Sequence, residues 1–215
     1  MADYLEVNDF DSKSSGKSPK NFYRGISLAE KYTYADYLTW DDDVRYELLD
    51  GVPYMMASPS ERHQWIVYNI MRQLGDQLEN KPCVPYVAPL DVRLFQNEEN
   101  SDTTVLQPDI FIVCDESKIK GLNYCKGPPN LIIEISSPTT ENNDFVKKRF
   151  LYEKAGVPEY WVVSPNRVYV YTLDGKVYSE EVFLFNNSNI IEFKTLEDLY
   201  IDFSDISRRY PNEDE

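Results

Sequence analysis

Two acidic side chains lie inside short apolar segments, where an unpaired charge is unfavourable. Glu134 lies in the segment Asn130–Ser136, and Asp109 follows a proline at the start of the apolar part of Gln107–Val113. Alternation along a strand places Glu134 on the face opposite to most of the isoleucines of its segment. A carboxylate in such a strand is usually paired or bound to a metal ion. Two strands with one inward acid each predict a site for a divalent cation.

A lysine is the third residue with a predicted inward position. The segment Asn142–Ala155 has a helical pattern, and Gly156 follows it as a C-cap residue. Lys148 lies on the apolar face of this predicted helix. An inward lysine needs an anionic partner to keep its charge. Glu134 and Asp109 are the nearest candidates.

Two further residues could support such a site. Glu47 lies in the first strand of a hairpin predicted around Asp50-Gly51, and the alternation allows it to be either an outward acid or a third inward one. His63 lies in the first turn of a helix predicted over residues 60–79, on the stripe that faces the protein. A histidine in this position is either a hydrogen-bonded structural residue or a catalytic one.

The remaining elements are predicted from their periodicity. A capped helix is expected at Thr33–Leu38, and a small closing helix at Thr195–Leu199. Strands are expected at residues 83–88, 90–95 and 107–113, as neighbours in one sheet, and at 130–136, 159–165, 167–173 and 177–185. A strand, a helix and a strand between residues 130 and 165 predict a crossover between neighbouring strands of the sheet.

Composition and length predict one globular domain with a tail at each end. The chain has 215 residues, of which 42% are hydrophobic and 27% charged. We expect a disordered segment at 1–25, one domain at 26–207 and an acidic tail at 208–215. The sequence shows neither a membrane-length apolar run nor a signal-peptide pattern, so we expect a cytoplasmic protein.

Cysteines and net charge limit the function classes. Three cysteines without CxxC spacing and one histidine do not form a familiar zinc site, so we expect reduced, structural thiols. A net charge of −15 argues against general nucleic-acid binding. A nucleic-acid substrate would require basic residues gathered near the site, for which the candidates are Arg62, Arg72, Arg93, Lys147, Lys148 and Arg149.

Several ordered motifs resemble the Uma-type restriction endonuclease family, which belongs to the PD-(D/E)xK nuclease superfamily. The resemblance extends from about Tyr32 to Leu199. It rests on the segments Tyr46–Gly51, Ser58–His63, Pro89–Arg93, Gln107–Asp109, Pro129–Thr139, Asp144-x3-Lys148-x3-Tyr152 and Ala155–Trp161.

The resemblance implies an α/β (α+β) restriction-endonuclease-like fold. A central mixed sheet would be flanked by helices, with an N-terminal hairpin and C-terminal β-hairpins. Asp109 and Glu134 would hold magnesium or manganese, and Glu47 would be a third ligand or a base. Ser136 stands where the superfamily has its lysine. The resemblance implies that Lys148 replaces that lysine and that His63 has a supporting role.

The sequence therefore predicts a metal-dependent endonuclease that hydrolyses DNA phosphodiester bonds. One alternative is a nuclease fold that has become a catalytically weak or inactive scaffold for protein interaction, which the acidic charge and Ser136 both favour. Another is a metal phosphodiesterase that acts on RNA or on a small phosphodiester. A homodimer is expected only by analogy with restriction enzymes of this fold.

Overall fold

The protein is described here by a computed structural model that covers residues 31–41, 43–137, 141–184 and 190–210. The predicted disordered segment 1–25 lies outside the described residues, and so do residues 211–215 of the predicted acidic tail. Within the described part of the chain, no helix combines the length and apolar character needed to cross a membrane.

Four α-helices, a π-helical segment, a 3₁₀ helix at Glu116–Lys118 and thirteen strands make up the described structure. The helices are α1 (Tyr34–Tyr37), α2 (Glu61–Leu78), α3 (Arg149–Ala155) and α4 (Ser204–Arg209), and the π-helical segment Asn143–Lys148 leads directly into α3. The strands are β1 (Tyr46–Leu49), β2 (Val52–Met55), β3 (Val84–Val87), β4 (Asp91–Arg93), β5 (Val105–Leu106), β6 (Ile110–Val113) and β7 (Tyr124–Lys126). They continue with β8 (Leu131–Ile135), β9 (Glu159–Val163), β10 (Arg167–Asp174), β11 (Val177–Leu184), β12 (Ile190–Glu192) and β13 (Tyr200–Asp202).

Local sequence signals account for several of these boundaries. Thr33 caps α1 in a capping box with Asp36. Asp50 and Gly51 connect β1 to β2 with φ values of 48° and 82°, which only a residue tolerant of left-handed backbone adopts readily. Gly156 ends α3 in the left-handed conformation at φ 81°. The predicted N-terminal capped helix, the hairpin at Asp50-Gly51 and the C-cap at Gly156 are therefore found where the sequence placed them.

A six-stranded mixed sheet forms the centre of the fold. Its order is β11-β10-β9-β8-β6-β3, and β8 and β9 are parallel neighbours joined through the π-helical segment and α3. The strands β2-β1-β5-β4-β7 form a second sheet. The prediction that 83–88, 90–95 and 107–113 share one sheet is wrong for β4, because β4 pairs with β5 and β7 while β3 pairs with β6.

Hydrophobic layers cover both faces of the central sheet. On one face, Ile133 and Ile135 of β8 belong to a core with α2, β12, β13 and α4. On the other, Ile132 joins a core with α3 and the second sheet. The alternation predicted for this strand is thus the observed one, and it places Glu134 on the side of α3.

Two predictions of local structure are wrong. Cys83 and Cys114 form a disulfide rather than reduced thiols, because each lies one residue beyond the cross-strand pair Val84↔Val113 and the two face each other. Cys125 is a buried free thiol. The segment Thr195–Leu199 is not a helix, and the closing helix is instead α4, which runs into the segment 208–215 predicted as a tail.

Candidate active site

Asp109 and Glu134 face each other across two neighbouring strands. The antiparallel pairing of Ile110 with Ile133 places Asp109, one residue before β6, opposite Glu134 in β8. Oδ2 of Asp109 accepts a hydrogen bond of 2.8 Å from the backbone N–H of Ile135. Oε2 of Glu134 lies 3.4 Å from the backbone nitrogen of Asp109, which donates to it. The two carboxylates predicted from the sequence are therefore brought together.

Lys148 lies among three carboxylates. Its Nζ is 3.0 Å from Oε1 of Glu134, 3.0 Å from Oε2 of Glu47 and 3.7 Å from Oδ1 of Asp144. The lysine side chain is only 8% exposed. It ends the π-helical segment, a rare geometry that often occurs at functional sites. The inward position predicted for this lysine is observed, while its catalytic role stays a prediction.

Burial and charge set the protonation of this cluster. Burial raises the pKa of Glu134 well above its usual range, against the opposing effect of the Lys148 ammonium, and the neighbouring carboxylates add to the rise. Burial alone would lower the pKa of Lys148. The carboxylates of Glu134, Glu47 and Asp144 instead raise it well above its ordinary value. The lysine is therefore a stable cation inside a cluster that carries an excess of acids.

Glu47 points inward, but both of its oxygens are already engaged. Oε1 accepts a hydrogen bond of 2.9 Å from the backbone N–H of Gln107, and Oε2 contacts Lys148. The side chain of Gln107 donates to Asp91 at 2.9 Å. Tyr37 also donates to Asp91. The structure thus connects Glu47 to the lysine and to a buried polar network, and its role as a third ligand or a base stays a prediction.

His63 and Ser136 lie beside the two carboxylates. Nε2 of His63 is 3.1 Å from Oδ2 of Asp109. The residue lies in the first turn of α2, and its backbone N–H donates to the side chain of the N-cap residue Ser60. Nδ1 of His63 and Oγ of Ser136 are buried and have no hydrogen-bond partner among the described residues. Each of the two residues therefore has an unused buried polar atom, and the supporting role predicted for both stays a prediction.

Sequence reasoning assigned no role to two members of the cluster. Tyr152 is fully buried and donates a hydrogen bond of 2.8 Å to Oε1 of Glu134. Asp144 contacts Lys148 from the preceding helical turn. Their spacing from Lys148, four residues on either side, places all three side chains on one helix face. That spacing is the signal that could have identified them.

The donor set suits a hard cation only in part. Asp109 and Glu134 offer carboxylate oxygens, and magnesium commonly uses one or two carboxylates together with water and substrate phosphate. Within residues 31–41, 43–137, 141–184 and 190–210, no three side chains of histidine, cysteine, aspartate or glutamate are arranged to hold a metal ion. The residues present therefore fit a metal bound by two protein carboxylates.

The six basic residues expected near the site have different environments. Arg93 is buried and forms an ion pair with Asp102. It cannot contact a nucleic acid, so the expectation is wrong for this residue. Arg72 lies 3.8 Å from Asp205 on the far part of α2. Arg62 donates to the backbone of the turn between β9 and β10. Lys147 and Arg149, the sequence neighbours of Lys148, lie over the rings of Tyr54 and Tyr171.

A comparison with solved structures identifies the fold. A crystal structure from Anabaena variabilis, titled "a putative nuclease belonging to DUF820", is similar to the protein with a TM-score of 0.67 and 18% sequence identity. The match covers 81% of this chain and 97% of that one. The protein therefore has a restriction-endonuclease-like nuclease fold, which confirms the fold class predicted from the sequence.

The family follows from the sequence match. Residues 34–204 match Uma2, described as "Putative restriction endonuclease", and the chain belongs to this family. The resemblance found in the motifs is thereby confirmed. No curated protein sequence matches the chain significantly. Family and fold together support a nuclease.

Proposed function

We propose that the protein is a metal-dependent endonuclease that hydrolyses DNA phosphodiester bonds, with Asp109, Glu134 and Lys148 at its centre. The observation that carries this proposal is the convergence of these three side chains on one face of the central sheet, with Nζ of Lys148 3.0 Å from Oε1 of Glu134. Their arrangement supplies the two acids and one lysine that the PD-(D/E)xK superfamily uses. The superfamily has its lysine at the position of Ser136, and we assign the role of that lysine to Lys148.

The charge of the site favours a bound cation. Glu47, Asp109, Glu134 and Asp144 offer four carboxylates, against the single ammonium of Lys148. We infer that Asp109 and Glu134 hold magnesium or manganese, with Ser136 and His63 as supporting polar groups. Such an ion supplies an activated water molecule and compensates negative charge on the phosphoryl group.

Two glutamates position the ammonium of Lys148. Glu47 and Glu134 fix the ammonium of Lys148 between them, each at 3.0 Å. A preorganised cation there stabilises negative charge that develops during hydrolysis. Glu47 is in turn held by the backbone of Gln107, the residue two before Asp109. We therefore assign to Glu47 the positioning of Lys148.

Plasmid cleavage tests this proposal. Supercoiled plasmid is incubated with the protein in magnesium, manganese or EDTA, beside an Asp109→Asn variant and an Asp76→Asn variant. Asp76 is exposed on α2 and serves as the matched control. We expect cleavage that requires the metal, is unchanged in Asp76→Asn and falls by about 10²-fold or more in Asp109→Asn. Cleavage of equal rate in both variants would reject the assignment.

A scaffold without catalytic activity is the second candidate. It is favoured by the engagement of both Glu47 oxygens and by the lack of a three-residue metal group in the described part of the chain. A folded protein that cleaves neither plasmid, RNA nor bis(p-nitrophenyl) phosphate with any metal would support the scaffold. Cleavage of only RNA or the small diester would change the substrate and keep the site.

Two further assignments stay predictions. A homodimer is expected from the analogy with restriction enzymes, and light scattering of the purified protein tests it. The cytoplasm is the compartment we propose for an enzyme acting on DNA. Disulfides are rare in that compartment. Thiol labelling in intact cells therefore shows whether Cys83 and Cys114 are oxidised where the protein resides.

A further inference from the structure

A surface outside the carboxylate cluster combines arginines with aromatic rings. It lies where the N-terminal half of α2 packs beside α4. We call it the arginine–aromatic face and define it by Arg62, Trp65, Tyr68, Arg209 and Tyr210.

Its side chains are stacked on one another. The guanidinium carbon of Arg209 lies 4.1 Å from the centroid of the Trp65 ring, and that of Arg62 lies 5.0 Å from the Tyr210 ring. The Trp65 and Tyr68 rings are 5.8 Å apart. Tyr68 is 57% exposed. The face is therefore a continuous set of flat groups, and at least one ring is open to solvent.

The arginines on this surface are held by contacts that a ligand can replace. Arg209 pairs with Glu61 at 2.7 Å, but both side chains are about half exposed or more, at 47% and 66%. Exposed ion pairs contribute little stability and exchange readily for other anions. Nε of Arg62 and Nε1 of Trp65 are buried donors without a partner among the described residues. Because these two nitrogens are buried, the charge that an anionic ligand can reach is that of the half-exposed guanidinium of Arg209.

The arginine–aromatic face has two arginines and one neighbouring carboxylate, Glu61, although the whole chain carries −15. Arg72 and Arg208 lie beyond this face on the same two helices, where both contact Asp205. Arg72 also lines a pocket with Asp76 and Asp202, so that region has no excess of positive charge. The positive balance is therefore confined to Arg62 and Arg209 beside Glu61.

The arginine–aromatic face lies next to the proposed active site along α2. Arg62 immediately precedes His63, whose imidazole contacts Asp109. The guanidinium of Arg62 also donates a hydrogen bond of 2.6 Å to the carbonyl of Pro165, in the turn after β9. The backbone N–H of Ser136 donates to Val163, at the end of the same strand. Arg62 therefore lies against the turn after β9 and one residue from the side chain that contacts Asp109.

We propose that the arginine–aromatic face binds single-stranded nucleic acid and leads it to the site of Asp109 and Glu134. This inference rests on the proposed nuclease function. Arginines neutralise phosphates, while aromatic rings and guanidinium planes stack on bases. Only unpaired bases expose their faces to such stacking, because a duplex stacks them internally. The mixture of rings and arginines therefore favours a single strand over a duplex.

Binding without cleavage tests the inference. Labelled 15-nucleotide oligothymidine, an RNA of the same length and a duplex are titrated against the wild-type protein in calcium, with fluorescence anisotropy as the readout. We expect either single strand to bind at least about tenfold more tightly than the duplex. Binding of either single strand in this way supports the proposal. A duplex that binds as tightly as both single strands would overturn it.

Variants locate the binding surface. Trp65→Ala and Arg209→Gln are each expected to weaken single-strand binding by about tenfold, whereas Trp65→Phe retains most of it. Arg209→Gln should also lower the slope of log affinity against log salt by about 0.7. Lys176→Gln, an exposed charge in the β10–β11 turn, is the matched control and should change neither quantity. Unchanged affinity in Trp65→Ala and Arg209→Gln would place binding elsewhere and overturn the proposal.

A separate readout distinguishes this inference from the proposed function. Bis(p-nitrophenyl) phosphate is too small to contact the arginine–aromatic face, so its hydrolysis should be equal in wild type and Trp65→Ala. If the wild type hydrolyses the small diester but the variants bind oligonucleotides as tightly as the wild type, the binding role of the face is rejected and the proposed nuclease function is kept. Oligonucleotide binding that depends on Trp65, without hydrolysis of any phosphodiester, would reject the nuclease and support the face as a binding surface.

Discussion

Two buried ion clusters in this protein differ in their charge balance. Arg93 and Asp102 form a closed pair, in which two guanidinium nitrogens donate to the two oxygens of one carboxylate. The rings of Tyr34 and Tyr124 lie over the guanidinium, at 3.8 Å and 4.8 Å. One cation here matches one anion, and the remaining faces of the guanidinium are covered by rings.

The cluster around Lys148 is not balanced. One ammonium contacts Glu47, Glu134 and Asp144, and Asp109 lies directly beside them. Buried atoms of His63 and Ser136 lack partners in the described part of the chain. A pair with no remaining charge serves stability alone, whereas an excess of acid with unused polar atoms is an arrangement that a ligand completes. The comparison thus separates a structural pair from a candidate catalytic site.

The largest expected effect is the loss of the structural pair. Arg93→Met should lower the free energy of unfolding by about 3–5 kcal/mol, because it leaves the carboxylate of Asp102 buried without a partner. Chemical denaturation measures this change. The double variant Arg93→Met/Asp102→Leu should recover most of the stability. Activity per folded molecule should stay unchanged. A loss of activity in the folded variant would show that the Arg93–Asp102 pair is not purely structural.

Loss of the lysine should affect catalysis first. Lys148→Met is expected to lower kcat by about 10²-fold, because a preorganised cation no longer faces the developing negative charge. Plasmid cleavage under saturating metal measures the change, with Lys147→Met as the control on the adjacent position. Equal losses in the two variants would indicate a general effect of surface charge rather than a role for the buried ammonium.

The same variant gives a pH dependence. The pKa of Glu134 is already raised by burial, and removal of the Lys148 ammonium takes away the effect that opposes the rise. The folded state then binds more protons than the unfolded state, so its stability should increase as the pH falls from 8 towards 5. Denaturation at several pH values measures this slope. A variant whose stability relative to wild type does not change with pH would contradict the proposed coupling.

Metal binding at the Lys148 cluster should stabilise the folded protein, whereas the Arg93–Asp102 pair should have no part in this effect. Magnesium or manganese at ten times its dissociation constant adds about 1.4 kcal/mol to the free energy of unfolding. For a domain of this size the melting temperature should rise by about 3–6 °C. Asp109→Asn should abolish the rise. Arg93→Met should lower the melting temperature of the metal-free protein but leave the rise on metal addition unchanged. A rise of equal size in Asp109→Asn would place the metal elsewhere.

Much of the fold could be predicted because its signals are local. The alternation in β8 required only the order of the residues, and the hairpin at Asp50-Gly51 required only a tolerance of positive φ. The stripe of α2 gave its length to within a residue or two at each end. The positions of Glu134 and Lys148 followed from the same periodicities, since each periodicity determines which face a side chain occupies.

The errors share a dependence on tertiary contacts. The pairing of Cys83 with Cys114 follows from the register of β3 against β6, which no local pattern specifies. Arg93 ends a short strand, and nothing nearby indicates that Asp102 will meet it in the interior. The sequence showed that Glu47 could face inward. It could not show that its oxygens contact Lys148 and Gln107, because those contacts join separate elements.

The smallest expected effect concerns Tyr152, which belongs to the Lys148 cluster only through its hydroxyl. Tyr152→Phe removes the hydrogen bond of 2.8 Å to Glu134 and leaves the ring in place. A typical hydrogen bond contributes about 1 kcal/mol, so kcat should fall by about fivefold. Tyr178→Phe is the matched control, since its buried hydroxyl donates to the backbone of Val157 at 2.9 Å, away from the cluster. Both variants should lose similar stability in denaturation, but only Tyr152→Phe should lose activity. Equal activity in the two would show that the hydroxyl of Tyr152 supports the fold alone, and would limit the catalytic cluster to the carboxylates and the lysine.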